Sequence, residues 1–328
     1  MRLFAIWLIR AAPRRDKHVG WGIAAAAAIV LAAFGAIAAD APATDQPRAS
    51  VRPSERAAKP GLLYEIKNDT ATVYLFGTLH VGKPEFYPLG REANRALTEA
   101  QKLYLEVNLT DPSVATTINA LANYPTGQSL ERSLPPELMK KVDAALERYK
   151  LPRESALRMK PWMLGQTLLL LEAARRGYDP TFASEMYLVA FAGAQRKDVL
   201  GLETLTEQLA LFDGMPEAAQ QRFLEDILAA LDDNLIDAHL DALVDAWVHA
   251  DARGLEEELE REKSESSMFA REILPRLIDE RNRSMAEKIA TLARPGTTTF
   301  VAVGALHLVG PEGLVELMRK RGFAVRQL

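Results

Sequence analysis

Two short strings at opposite ends of the chain, Gly77-Thr-Leu-His80 and Gly304-Ala-Leu-His307, repeat one pattern, and they use two of only five histidines. Each closes a short apolar run rich in β-branched or aromatic residues, Val73-Tyr-Leu-Phe-Gly77 and Phe300-Val-Ala-Val-Gly304. Short runs of this kind, bounded by turn residues, read as buried strands. A glycine at the end of such a strand permits a tight bend and close backbone approach. The histidine three residues on then falls at the carboxyl edge of a sheet, where open α/β sheets build their ligand crevices. Two such edges side by side bring two imidazoles to one site.

The remaining pattern decides what lies between them. Leu62–Lys67 reads as a strand, and Asn68-Asp69 supplies a turn into Thr72–Gly77, giving a hairpin. A helix over about Gly90–Gln101 precedes the apolar strand Leu103-Tyr-Leu-Glu-Val107, so the strands flanking that helix are expected to be parallel. Apolar residues recur at three- and four-residue spacing over 135–150, 161–176, 182–195, 216–232 and 234–252, with proline opening several of these helices. Asp198-Val-Leu-Gly-Leu-Glu203 reads as a further strand, 269–292 as a long helix, 313–321 as a helix and 323–328 as a terminal strand. The expected fold is α/β, in the α+β sense: a mixed sheet with strands from both ends of the chain and an inserted helical subdomain.

The N-terminus reads differently. Arg2, Arg10, Arg14, Arg15 and Lys17 precede an apolar stretch over 20–39 that ends in small residues, the form of a secretory signal. The stretch is also long enough to span a bilayer, so an uncleaved anchor is the alternative. Arg14-Arg15 is followed by Asp16-Lys17-His18, unlike the rest of a twin-arginine signal. Residues 40–60, rich in Pro, Ala, Ser and charge, read as a disordered linker. The domain expected is 61–328, with helical insertions at about 110–195 and 205–295. Loss of residues 1–39 removes five bases and one acid and takes the formal charge from −4 to −8. A mildly acidic exported chain is a poor nucleic-acid binder. The expected location is the periplasm, or the inner membrane by way of the N-terminal segment alone; the oligomeric state is not legible. Cysteine is absent, which excludes disulfides, thiolate zinc sites, iron–sulfur ligation, a cysteine nucleophile and a lipoprotein anchor.

Four residues emerge as a candidate constellation: His80, Glu106, Glu203 and His307. Both glutamates end apolar strands, where a carboxylate is costly unless it is paired, hydrogen-bonded or metal-bound. Two imidazoles and one or two carboxylates form a mixed N/O set suited to a divalent ion such as Zn, Mn, Co or Fe. The plainer alternative is that each histidine is hydrogen-bonded at a strand–loop junction. Arg281 lies in the polar stretch Asp279-Glu-Arg-Asn-Arg-Ser284. An arginine aimed into such a site stabilises an oxyanion or binds a carboxylate. Asp279 and Arg283, four residues apart, suit a surface helix with local ion pairs instead.

Two patterns are set aside. Gly77–Pro84 fits G-x-x-x-x-G-K, but proline stands where a P-loop needs a hydroxyl. Asp233, Asp237, Asp241, Asp245 and His249 share a helical face opposite Leu240, Leu243, Val244, Trp247 and Val248, as an ordinary amphipathic helix does. His239 reads as structural or exposed. Neither GxSxG nor HExxH occurs, which disfavours an elbow-type serine hydrolase and a zincin.

The chain resembles the TraB/GumN family, whose animal relatives include the Tiki metalloproteases. The likeness rests on Tyr74–Val81, Leu103–Glu106, Val199–Thr204 with Gln208, Arg281-Asn282 and Val301–Gly310, and covers roughly residues 61–328. It implies a divalent-metal hydrolase acting on a peptide or small-molecule substrate, with peptide-bond cleavage the first expectation, and a fold shared with erythromycin-esterase-like and ChaN-like haem-binding proteins. By that resemblance His80, Glu106 and His307 are expected to bind the metal (Mn, Co or Zn), and Glu203 and Arg281 to be catalytic. The alternatives are a non-catalytic haem, metal or small-ligand binding protein of the cell envelope, and a structural or inhibitory partner protein working through its helices.

Overall fold

The computed structural model describes residues 60–68, 70–265 and 267–328. The expected N-terminal signal or anchor, and all but the last residue of the expected linker, lie outside them. Among the described residues six strands form one mixed sheet in the order β4-β3-β5-β2-β1-β6. They are β1 (Leu63–Lys67), β2 (Thr72–Thr78), β3 (Lys102–Val107), β4 (Asp198–Glu203), β5 (Thr298–Gly304) and β6 (Ala324–Gln327).

The two motif strands are immediate neighbours. β2 and β5 pair in parallel, with Gly77 opposite Val303 and Thr78 opposite Gly304, so both chains leave the sheet at the same edge. The hairpin β1–β2 is antiparallel as its turn predicts, and β6 adds to the outer side of β1. β3 and β2 run in the same direction, but they are not adjacent. β5, from the far end of the sequence, lies between them and pairs in parallel with each. The central strands β2 and β5 are buried almost throughout, as their continuous apolar sequence requires when both faces are covered.

Helix α1 (Arg91–Glu99) follows β2 and packs on β2 and β5. Between β3 and β4 run α2 (Val114–Ala122), the short α3 (Leu130–Ser133), α4 (Pro136–Tyr149), α5 (Arg153–Arg158), α6 (Pro161–Arg175) and α7 (Ser184–Ala194). Between β4 and β5 run α8 (Leu205–Asp213), α9 (Glu217–Asp232), α10 (Leu235–Val248) and α11 (Ala252–Lys263), then a long helical run ending in α12 (Arg281–Leu292). α13 (Leu314–Lys320) leads into β6.

The long run is not a regular α-helix. It widens into π turns at Phe269–Ile273 and Arg276–Glu280, on either side of Pro275. Proline lacks the amide that an α-helical ladder needs, and a wider turn is one way for a helix to absorb that loss. The second π turn ends immediately before Arg281.

α10 ties the helices to the motif edge. Its fully buried Trp247 donates from Nε1 to the Gly77 carbonyl at 2.8 Å, while the Trp247 carbonyl accepts from Gly61. Along the same helix Asp237 and Asp241 pair with Arg176, so the acidic face set aside above is an ion-paired surface. His239 lies 2.5 Å from buried Glu258, a structural contact.

Candidate active site

Gly304 is the pivot of the motif edge. A Cβ added to it would lie 3.2 Å from Glu106 Oε1, 3.4 Å from His80 Nε2 and 3.5 Å from His307 Cδ2. Residues from three separate strand ends therefore converge on one bare Cα. Gly77 serves close approach too, since a Cβ there would come within 3.1 Å of the Ala305 backbone.

His80 follows β2 by two residues and is held by α7. The Leu79 amide donates to Ser184 Oγ at 2.7 Å, and the Ser184 amide returns a bond to the Leu79 carbonyl at 2.9 Å. This two-way clamp sets His80 Nδ1 2.6 Å from Glu185 Oε1. Burial disfavours the charged imidazole, but Glu185 more than offsets that, with help from Glu106, and holds the His80 pKa above its ordinary value.

His307 sits on the single turn Ala305–Leu308 that continues β5. Its Nδ1 lies 2.7 Å from Asn282 Oδ1, and the Asn282 amide nitrogen donates to the Glu312 carbonyl at 2.9 Å. That second bond fixes the amide orientation, so Asn282 presents an acceptor and His307 Nδ1 carries the proton. Nε2 is left with its lone pair, and Arg281 Nη1 donates to it at 3.2 Å. Burial pushes His307 down to about 3; Glu106 works against this, and Arg281 and His80 add to it, so the ring is neutral.

Glu106 accepts from the Gly304 amide at 2.6 Å on Oε1, and from Gln208 at 2.8 Å and Arg281 at 2.5 Å on Oε2. Burial alone would raise its pKa. Arg281, His307, His80 and the Gly304 amide together overcome that and hold it ionised far below the usual carboxylate range. Arg281 also donates from Nε to Glu203 Oε2 at 2.9 Å and from Nη1 to the Leu277 carbonyl at 3.1 Å. It is 7% exposed and is not part of a surface ion-pair ladder; Asp279 pairs with Lys263 and Arg283 with Glu312 instead. Glu203 is the one carboxylate of the floor whose pKa moves up, because burial outweighs Arg281 there.

The structure thus brings His80, Glu106, Glu203, Arg281 and His307 into one cluster, with Glu106, Arg281 and His307 buried and His80 and Glu203 partly so. Four further participants were not singled out as site residues from sequence: Ser184, Glu185, Gln208 and Asn282. Glu185 had a faint signal, being the lone acid in the otherwise apolar stretch Ser184–Ala194. Asn282 and Gln208 belonged to the motif likeness, but nothing in their spacing tied them to a histidine or a carboxylate.

Above this floor is a cavity of about 40 Å³ measured for water centres, walled by Leu169 and Ala173 of α6, Leu240, Leu243 and Val244 of α10, and Ile278. Thr78, His80, Arg281 and His307 supply its polar side.

The donor chemistry fits a divalent ion. Both imidazoles have Nδ1 engaged by an oxygen acceptor and Nε2 turned inward, the arrangement that orients metal-ligating histidines. Glu106 Oε1 completes an N,N,O set around Gly304. As placed, Arg281 engages the other oxygen of Glu106, and among the described residues no group of three or more His, Asp or Glu is closed to ligand spacing.

The sequence has relatives among known proteins. The Escherichia coli protein YbaP is 24% identical over 251 residues, covering 75% of this chain and 87% of its own. An uncharacterized protein of Treponema pallidum is 24% identical over 290 residues, covering 82% and 83%. Metalloprotease TIKI1 of Danio rerio is 25% identical over 316 residues, covering 80% of this chain, which spans 62% of TIKI1's length. No solved structure matches the chain significantly. The sequence model of one family covers residues 62–327, nearly everything the sheet and its helices comprise, and the chain belongs to that family, TraB/PrgY/gumN.

Proposed function

We propose that the chain is a divalent-metal-dependent hydrolase acting on peptide bonds, working outside the cytoplasm. The observation that carries the reading is the convergence of His80 Nε2, Glu106 Oε1 and the His307 ring on the bare Cα of Gly304, beside a buried guanidinium. When bound, a Mn, Co or Zn ion held by His80, Glu106 and His307 supplies a Lewis acid and acidifies water. The residues of the chain do the rest. Arg281 is charged and desolvated among two carboxylates, and the Nη1–H that now points at His307 Nε2 would be freed for the oxygen that becomes negative as a carbonyl is attacked, once that nitrogen takes the metal. Glu203, the floor carboxylate whose pKa burial raises, serves as general base and then acid. Glu185 and Asn282 hold the two imidazoles in register.

Distant likeness to proteins named metalloproteases supports the choice of peptide bonds. Export is supported by the basic-then-apolar segment at residues 1–39. Among the described residues no helix is long and apolar enough to cross a membrane.

The test uses the purified full chain, stripped with chelator, reloaded with Mn, Co or Zn, dialysed and assayed on fluorogenic peptides alongside mass-spectrometric metal analysis. Near-stoichiometric metal with metal-dependent cleavage is expected. Both should vanish in a His80→Ala/His307→Ala variant that keeps its circular dichroism. Cleavage that survives chelation, or equal metal in both proteins, would overturn the reading.

A further inference from the structure

Acid–base and oxyanion chemistry needs only the floor of the site, yet the chain also builds apolar walls directly above it. Leu169 and Ala173 face Leu240, Leu243 and Val244 across the cavity, and none of these wall residues is ionisable. A substrate group beside the reacting bond therefore meets hydrocarbon on both sides. About 40 Å³ for water centres corresponds to roughly three water molecules, or about 90 Å³ of liquid, comparable with one branched aliphatic side chain.

Thr78 adds a polar point at the junction of floor and wall. Its side chain lines the same cavity and is 1% exposed, and its hydroxyl has no hydrogen-bond partner among the described residues. Buried hydroxyls are normally satisfied, so this one is suited to a main-chain carbonyl or amide brought in with the substrate. Outside the cavity, Phe182 and Met186 are the exposed large hydrophobics among the described residues, and they bracket Ser184 and Glu185, the residues that hold His80.

The geometry points to a specificity subsite: the cavity takes one leucine- or valine-sized side chain of a peptide segment, next to the bond cleaved, with Thr78 bonding its main chain. This rests on the peptidase reading above and adds the substrate class. Ala173 of α6 and Leu243 of α10 both line it, so a change in the size of either alters the space available.

Binding and turnover test it separately. Calorimetry on the full chain compares N-acetyl-leucine amide with N-acetyl-glycine amide, and cleavage by the Mn-loaded protein compares fluorogenic peptides differing at one residue. The leucyl compound should bind at least about tenfold tighter than the glycyl one. Ala173→Leu, which fills the cavity, should erase that preference, and Leu243→Ala, which widens it, should shift it toward phenylalanine. Two variants of opposite effect, each checked by circular dichroism, guard against simple misfolding. Equal binding of the two amides, or a preference untouched by both substitutions, would overturn the subsite. Leucyl binding without any cleavage supports the subsite and defeats the peptidase reading; cleavage indifferent to the side chain does the reverse.

Discussion

At the scale of single residues, the site is a problem in placing charge where water is absent. Arg281 is the solution: one guanidinium reaches Glu106, Glu203 and His307 from three of its nitrogens, which a lysine's single point charge cannot do. Glu185 does a parallel task for His80, engaging Nδ1 and leaving Nε2 to face Gly304. Replacing Glu185 by Gln keeps the volume and removes the charge. Its expected effect is a loss of about 10–100-fold in kcat/KM or metal affinity, with circular dichroism unchanged. Glu185→Asp, which restores the charge one methylene short, should recover part of that loss in the same peptide-cleavage assay. A Gln variant as active as the parent would mean that the clamp at Leu79–Ser184 alone orients the ring. Glu185 was hard to read from sequence for a physical reason: the clamp beside it joins positions 105 residues apart. His80 and His307 stood out because one GxLH pattern recurs after two apolar strands, and Glu106 and Glu203 because a carboxylate at the end of an apolar strand is costly without a partner.

At the scale of elements, α6 and α10 from different parts of the chain meet over the motif edge, and Trp247 joins α10 to β2. Its indole satisfies the Gly77 carbonyl in the second-to-last residue of β2, and its ring packs 5.7 Å from Phe86. Trp247→Phe keeps most of the apolar area but orphans that carbonyl and leaves a gap. A destabilisation of about 1–3 kcal/mol is expected in urea denaturation, with the m-value unchanged. Since β2 delivers His80, the substitution should also loosen the site, seen as faster amide exchange over residues 77–82. Stability lost without that local change would place the joint's effect elsewhere. The amphipathic pattern of α10 was plain in the sequence, but which strand it would cap was not, because periodicity reports a face and never its neighbour. The long helix near the end shows the same gap. Its span was read correctly, but the π turns around Pro275 were not anticipated, since the four-residue spacing of its buried positions suits an α turn and a slightly wider turn alike.

At the scale of the whole molecule, the sheet's content was legible and its order only partly so. Two apolar strands with glycine ends had to be buried, but parallel strands dock equally well on either side of a neighbour. The insertion of β5 between β2 and β3 is settled only by side chains far apart in sequence, Glu106 reaching the Gly304 amide among them. The helical layers also store one electrostatic cost unrelated to the site. Asp226 of α9 is part-buried, and burial, with Glu225 adding to it and Arg222 and Arg271 opposing, pushes its pKa up to about 6. A carboxylic acid whose folded pKa lies above its unfolded value binds more protons folded than unfolded across the intervening range. The fold therefore loses stability as pH rises from about 4 to about 6, and the deficit stays constant above that. Asp226→Asn removes the group that ionises. The variant should match the parent near pH 4 and exceed it by about 1–2 kcal/mol at pH 7, after allowance for partial solvent screening. Urea denaturation at pH 4, 5, 6 and 7 reads the difference directly. A gap that is flat with pH would mean that the gain comes from shape or hydrogen bonding, and that Asp226 titrates as an ordinary surface acid.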